Sequence, residues 1–397
     1  MNIHLPLSRP LALLLLLCMC VSSGFSQHFE WVNTYMNPSS SSANLGIDVI
    51  VDANGNAYAT GYFVDTMDVD PGPGVWNLYA STGQLNTYIT KTSAQGNLLW
   101  AFCMQGQGRA TPNKLSIASN GDLLLAGNFS FTIDFDPGSG TSTLNSGGFA
   151  SAPYLARYDS DGNFLWVKTY GSPTKLTFRD VQSDQNGNMY LACTMYDDVY
   201  IQTKTGLEQF SSSGPNDNLV MKLDQQGDVL WVKQFGGLQW DNLHQIAVNA
   251  QGDIYCVGNF HQDTDFDPGP GVFNMYSSTN RFSGFVSKLN SNGDFVWAAK
   301  AQGLVTSQDT GTDNLYSITL DAAGNVYVTG DFSGTLEVDP GPDTAFISAT
   351  DSIDGFVTRY NADGSWAWTS VIAGDGEATP EYESLPYRRA YLVGNIY

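Results

Sequence analysis

Four stretches of this chain set two acids on either side of one apolar residue and follow them with Pro-Gly. They are "MDVDPGPG" from Met67, "IDFDPGSG" from Ile133, "TDFDPGPG" from Thr264 and "LEVDPGP" from Leu336. In an extended backbone, residues two apart share a face. Asp68 and Asp70, Asp134 and Asp136, Asp265 and Asp267, and Glu337 and Asp339 are therefore paired carboxylates. Two chemistries fit that pairing. Two carboxylates begin a Ca²⁺ site, which takes roughly 6–8 oxygens and would draw the rest from carbonyls, water or a neighbouring loop. Alternatively, Val69, Phe135, Phe266 and Val338 anchor each segment from its other face, the acids are solvated, and Pro-Gly closes a tight turn. A fifth stretch, "DDVYIQTKTG" from Asp197, stands third in chain order and has no Pro-Gly at all.

The same excursions carry Trp76, Tyr79, Phe273, Tyr276 and Phe346. Aromatic rings beside carboxylates suit a sugar or a cationic peptide; packing within the fold is the alternative. Signals for catalysis are sparse. His28, His244 and His261 neither recur nor cluster, no zinc spacing is present, and neither a GxSxG elbow nor a phosphate loop occurs. Paired acids can cleave glycosides, so a carbohydrate-active enzyme, hydrolase or lyase, is the alternative to a binding module. Acids repeated in four copies fit a structural or cation-binding role better than a single catalytic pair.

The elements that must position these residues are written repeatedly. A Gly-Asn or Gly-Asp turn before an apolar run places glycine at 55, 121, 187, 252 and 324, spaced by 66, 66, 65 and 72 residues. A second series, "QGNLLW", "DGNFLW", "QGDVLW", "NGDFVW" and "DGSWAW", places glycine at 96, 162, 227, 293 and 364. Each repeat reads as four strands, A to D. In the fourth copy these are "LHQIAVNA", "IYCVGNF", "GFVSKLN" and "FVWAAK", with the acidic excursion between B and C. β-Branched and aromatic residues separated by Asn-Gly and Gly-Asp are hairpin chemistry, and no useful helical period is present. Four antiparallel strands per period predict an all-β propeller of five full repeats. "FEWVNTY" from Phe29 reads as a leading strand D and "AYLVGNIY" from Ala390 as a trailing strand B, so a partial sixth blade is expected. The chain stops inside that repeat, which leaves ring closure and a truncated fragment of a larger secreted repeat protein as alternatives.

Gly61, Gly127, Gly258 and Gly330 recur in strand B, where a glycine marks close approach of another group; Cys193 replaces it in the third copy. A cation recurs in strand C, at Lys91, Arg157, Lys222, Lys288 and Arg359, and reads as a repeated ion pair. Six strand-D tryptophans, Trp31, Trp100, Trp166, Trp231, Trp297 and Trp368, read as packing.

The first 26 residues read as a secretory signal peptide: Arg9, an apolar run from Leu11 to Val21, then small residues. The remaining 27–397 form the repeat domain. It carries 16 basic and 39 acidic side chains, net −23. That charge repels nucleic acid and anionic lipid. It suits Ca²⁺, a cationic partner or a neutral glycan, and no later segment is apolar enough to insert in a membrane. Cys103, Cys193 and Cys256 are too few and too separated for a disulfide framework.

The run "AVNAQGDIYCVGNF", the "DFDPGPG" loop and "GFVSKLNSNGDFVWAAKAQG" together resemble the SBBP-type β-propeller repeat proteins secreted chiefly by Bacteroidetes-like bacteria. The resemblance covers about residues 29–397. It implies a propeller, often seven-bladed, and gives no single activity. The expected function is a secreted or cell-surface binding or scaffold module, calcium-assisted through the acidic loops, with an extracellular protein or glycan as partner.

Overall fold

The computed structural model describes Trp31, Tyr35 and residues 44–277, 281–303, 313–350 and 353–372. The signal segment, the trailing "AYLVGNIY" and most of "FEWVNTY" lie outside the described residues. Two compact units, Met1–Asn33 and Thr34–Tyr397, divide the chain, and every strand belongs to the second.

The five repeats are five antiparallel blades. Blade 1 comprises strands Asn44–Val51, Ala57–Phe63, Asn86–Thr92 and Leu98–Cys103. Blade 2 comprises Ala110–Ile117, Leu123–Phe129, Ala152–Tyr158 and Phe164–Lys168. Blade 3 comprises Leu176–Ser183, Met189–Met195, Asp217–Leu223 and Val229–Gly237. Blade 4 comprises Asp241–Val248, Ile254–Phe260, Ser283–Leu289 and Phe295–Gly303. Blade 5 comprises Asn314–Leu320, Val326–Phe332, Asp354–Tyr360 and Trp366–Ile372. Within each blade the order is A-B-C-D, and strand A of each touches strand A of the next.

Strands B and C are buried on both faces, as "IYCVGNF" and "APYLARY" show along their whole length. The core lies between blades. One cluster joins Ile89 to Leu125, a second Leu155 to Phe178, a third Val220 to Phe285 and a fourth Val257 to Val328. The A–B turn glycines all have positive φ, from 76° at Gly187 to 89° at Gly121. Only glycine takes that backbone cheaply, which explains the marker series. The C–D turn "DSDGN" from Asp159 shows the device that accompanies such glycines. Asp159 Oδ1 accepts the N–H groups of Asp161 and Asn163, each at 2.9 Å, and Oδ2 accepts Asn163 Nδ2.

The recurrent tryptophan and the second glycine series explain each other. Gly162 of blade 2 leaves room for Trp100 of blade 1, and Gly227, Gly293 and Gly364 do the same for Trp166, Trp231 and Trp297. The strand-C cations cross the same boundaries. Lys91 donates to Ser160 O, Arg157 to Gln225 O and Lys222 to Ser291 O, each in the next blade. Two of the expected ion pairs form, Arg157–Asp122 at 2.8 Å and Lys288–Asp253 at 2.9 Å. Lys91, Lys222 and Arg359 lie over Tyr58, Tyr190 and Tyr327 instead.

The described residues do not close a ring. Val49 is 44% exposed, whereas its counterparts Leu115, Val181, Ile246 and Ile318 are 0–4% exposed. Tyr35, the last residue of "FEWVNTY", covers part of blade 1, with its ring 5.9 Å from Tyr88 and its hydroxyl 2.8 Å from Thr90 Oγ1.

Candidate functional site

Strand A of every blade contains a β-bulge, an extra residue with no partner on strand B. The register slips between Gly46 and Asp48, Pro112 and Lys114, Phe178 and Asp180, Leu243 and Gln245, and Leu315 and Ser317. A bulge re-aims a side chain. Here the five extra residues are Ile47, Asn113, Arg179, His244 and Tyr316, and all five line one pocket of about 800 Å³. Five equivalent backbone positions thus deliver five different chemistries to one funnel. The bulges pair near the C-terminal ends of strands B, the end of each blade from which the acidic excursions leave.

Bonds between blades hold these side chains in place. Asn113 Nδ2 donates to Phe178 O at 2.7 Å, and His244 Nδ1 donates to Leu315 O at 2.7 Å, which fixes the histidine tautomer. The His244 ring stacks on Tyr316, centroids 5.5 Å apart, and Tyr316 Oη donates to Asp331 Oδ2 at 3.1 Å. Arg179 gives Nε to Thr194 Oγ1 at 3.1 Å and Nη2 to Tyr196 Oη at 2.8 Å.

The residue after each bulge ties the funnel wall together. Asp48 Oδ2 accepts Leu115 N–H at 3.0 Å, Asp180 Oδ2 accepts Ile246 N–H at 2.9 Å and Gln245 Oε1 accepts Ile318 N–H at 3.0 Å. Lys114 pairs with Asp48 at 3.2 Å. Burial alone would lower the lysine's pKa, but the carboxylates of Asp180 and Asp48 hold it above the ordinary value. Burial pushes the Asp180 carboxyl up to about 6, against the pull of Lys114 and two backbone N–H groups.

No family model matches the sequence. An uncharacterised WD repeat-containing protein, L264, of Acanthamoeba polyphaga mimivirus is 24% identical over 255 residues, covering 56% of this chain and 17% of its own length. The regulatory protein FlaEY of Caulobacter vibrioides is 22% identical over 218 residues, covering 52% of this chain and 22% of its own. This chain thus spans less than a quarter of either curated relative. A Bacteroides caccae protein of unknown function is similar at 11% identity and a TM-score of 0.30, over 72% of this chain and 90% of its own. The repeated four-stranded sheets and the WD-repeat relative together describe a propeller-like β-repeat protein.

None of the acids or aromatics expected from the sequence lines the funnel of this propeller-like protein. The acidic excursions form small hairpins, and three of them pair with the tail of strand D in the preceding blade, at Gln105–Gly106, Gly236–Gly237 and Gln302–Gly303. Those three therefore lie against the outer strand of the preceding blade. The four anchors behave as expected: Val69, Phe135, Phe266 and Val338 are 0–1% exposed. Asp68 Oδ1 accepts the N–H groups of Asp70 and Trp76 at 3.1 and 2.9 Å, and Asp70 Oδ1 accepts that of Gly72 at 2.8 Å. Asp134 with Asp136 and Asp265 with Asp267 repeat the arrangement bond for bond. In the fifth blade Asp339 caps Gly341, while Glu337, one methylene longer, reproduces neither of the first acid's bonds. Among the described residues, no group of three or more His, Cys, Asp or Glu side chains is placed to hold a metal. Trp76, Tyr79, Phe273 and Tyr276 are 38–62% exposed, and Phe273 packs 4.7 Å from Phe295.

Of the five bulge residues the sequence singles out only His244, and that as a histidine that does not recur, although a signal for all five is present. They recur at 66, 66, 65 and 72 residues, each eight before an A–B turn glycine.

Proposed function

We propose that this chain is a non-catalytic binding or scaffold module, secreted or held at a cell surface, whose ligand enters the funnel rather than sitting on the acidic loops. The observation that carries this reading is the contrast between framework and funnel. Turn glycines, tryptophans and loop acids recur from blade to blade, whereas the bulge position carries Ile47, Asn113, Arg179, His244 and Tyr316. A rigid repeated scaffold presenting unrepeated side chains is the usual design of a recognition site.

The SBBP-type identity and a bacterial extracellular setting belong to this proposal and rest on the "DFDPGPG", Gly-Asn and tryptophan motifs. Calcium assistance would use the second oxygen of each loop acid, because Oδ1 already accepts backbone N–H groups in three loops. Binding is favoured over glycoside chemistry because both funnel carboxylates are engaged in structure. Asp48 holds Lys114 and Leu115, and Asp180 is fully buried against Ile246.

The test is a glycan and peptide array probed with residues 27–397 and with two funnel variants, Ile47→Arg and Tyr316→Ala. Ile47 is 37% exposed, so a longer charged side chain obstructs the funnel without entering the core. The expected outcome is binding that both variants lose, with Ile47→Arg melting as the parent does and Tyr316→Ala folded but melting lower because Asp331 loses the bond from the Tyr316 hydroxyl. Binding unchanged in both would move the site elsewhere.

A further inference from the structure

We infer that the funnel takes a single carboxylate group, carried on a small molecule or a chain end, and that Arg179 is its anchor. The inference rests on the funnel being the binding site. Its basis is the state of that guanidinium. Arg179 is half-buried in the funnel wall and has no carboxylate within ion-pairing distance among the described residues. The funnel's other fixed cation, Lys114, is already matched by Asp48. Two hydroxyls, Thr194 Oγ1 and Tyr196 Oη, take the Nε and one Nη2 hydrogen. Neither neutralises the charge. They orient the planar fork so that Nη1 and the second Nη2 hydrogen remain as a pair of parallel donors. That edge matches the two oxygens of a carboxylate.

Charge selects among anions. A chain of formal net charge −22 repels polyanions and dianions at long range. Asp48 and Asp180 both act on Lys114, so Arg179 offers one cation for direct pairing and the wall holds no surplus of positive charge. A monocarboxylate satisfies both conditions, whereas a phosphate ester brings a second charge for which the funnel has no partner. Arg179 occupies the position that the other blades fill with Ile47, Asn113, His244 and Tyr316, so nothing in the repeated framework requires an arginine there.

The experiment measures ligand-observed NMR titrations of residues 27–397 with two matched pairs, galacturonate with galactose and benzoate with benzamide. The acid of at least one pair is expected to bind tenfold or more tightly than its neutral partner. Arg179→Gln should remove that preference, and Arg179→Lys, which keeps the charge without the fork, should retain part of it. Melting curves confirm that each variant is folded. Equal affinity for acid and neutral members, or a preference that survives Arg179→Gln, overturns the inference while leaving the funnel as a binding site. If none of the four probes binds, the carboxylate inference falls, and the array with Ile47→Arg decides the funnel by itself.

Discussion

Cys193 on strand B of blade 3 lies directly across from Leu219 on strand C, at the register where the other blades pair a glycine with an aromatic ring. Those pairs are Gly61 with Tyr88, Gly127 with Tyr154, Gly258 with Phe285 and Gly330 with Phe356. A Cβ on any of the four glycines would come within 2.7–3.0 Å of the ring and 1.9–2.4 Å of a strand-A carbonyl oxygen. Blade 3 has exchanged volume across the sheet, with more on strand B and less on strand C.

The exchange predicts coupling between the two positions. Leu219→Phe alone overpacks against Cys193 and should cost about 1–3 kcal/mol. Cys193→Gly alone opens a void beside leucine and loosens the strand, at a similar cost. The double variant restores the pairing of the other blades. Chemical unfolding of all four proteins should give a double-mutant loss smaller than the sum of the singles by about 1 kcal/mol or more. Simple additivity would mean that the two sites are independent.

The acidic loops predict a contrast between two substitutions at one residue. Asp265 Oδ1 accepts the N–H groups of Asp267 and Phe273, at 3.0 and 2.9 Å. Asp265→Asn keeps that oxygen and should leave the melting temperature nearly unchanged. Asp265→Ala leaves both N–H groups without their acceptor and should cost about 1–2 kcal/mol. A calcium titration of the same proteins separates the roles. A saturable rise in melting temperature that Asp265→Asn abolishes would make the loop a metal site, and no rise at millimolar calcium would leave it a capped turn.

How far the sequence could be read follows from what repeats. Spacing alone placed the blades. The strand-B glycines announced the close approach that Tyr88 and Phe285 make, and alternation sent Val69 and Phe266 inward. Two features were hidden for physical reasons. The pairing of an acidic hairpin with Gly236 and Gly237 crosses between blades, and a period within one blade carries no information about its neighbour. The funnel residues are hidden because a repeat search rewards identity. Ile47, Asn113, Arg179, His244 and Tyr316 share a backbone position and nothing else, so their register marks them only once the bulge is seen.

Asp241 predicts how stability depends on pH. It is fully buried at the start of strand A in blade 4. Its carboxyl accepts Gly237 N–H at 2.6 Å and Thr264 Oγ1–H at 2.9 Å, so it joins the end of blade 3 to the acidic hairpin of blade 4. Burial pushes its pKa up to about 7; Asp217 adds to the rise, and the two hydrogen bonds oppose it. In the unfolded chain the group titrates near 4. Between about pH 4 and pH 7 the folded state therefore holds a proton that the unfolded state has released. Stability is full below that window, falls as pH rises through it and levels off above. The slope contributed by this one group is at most about 1.4 kcal/mol per pH unit. Asp180, raised to about 6, adds a loss of the same sign over the lower part of the window. Asp241→Asn mimics the protonated acid, offering an oxygen to Gly237 and an N–H to Thr264 Oγ1. Urea unfolding from pH 4 to 8 should show a shallower decline in this variant, with the two proteins converging at the acid end. Parallel profiles would mean that Asp241 ionises in the folded chain as readily as in the unfolded one.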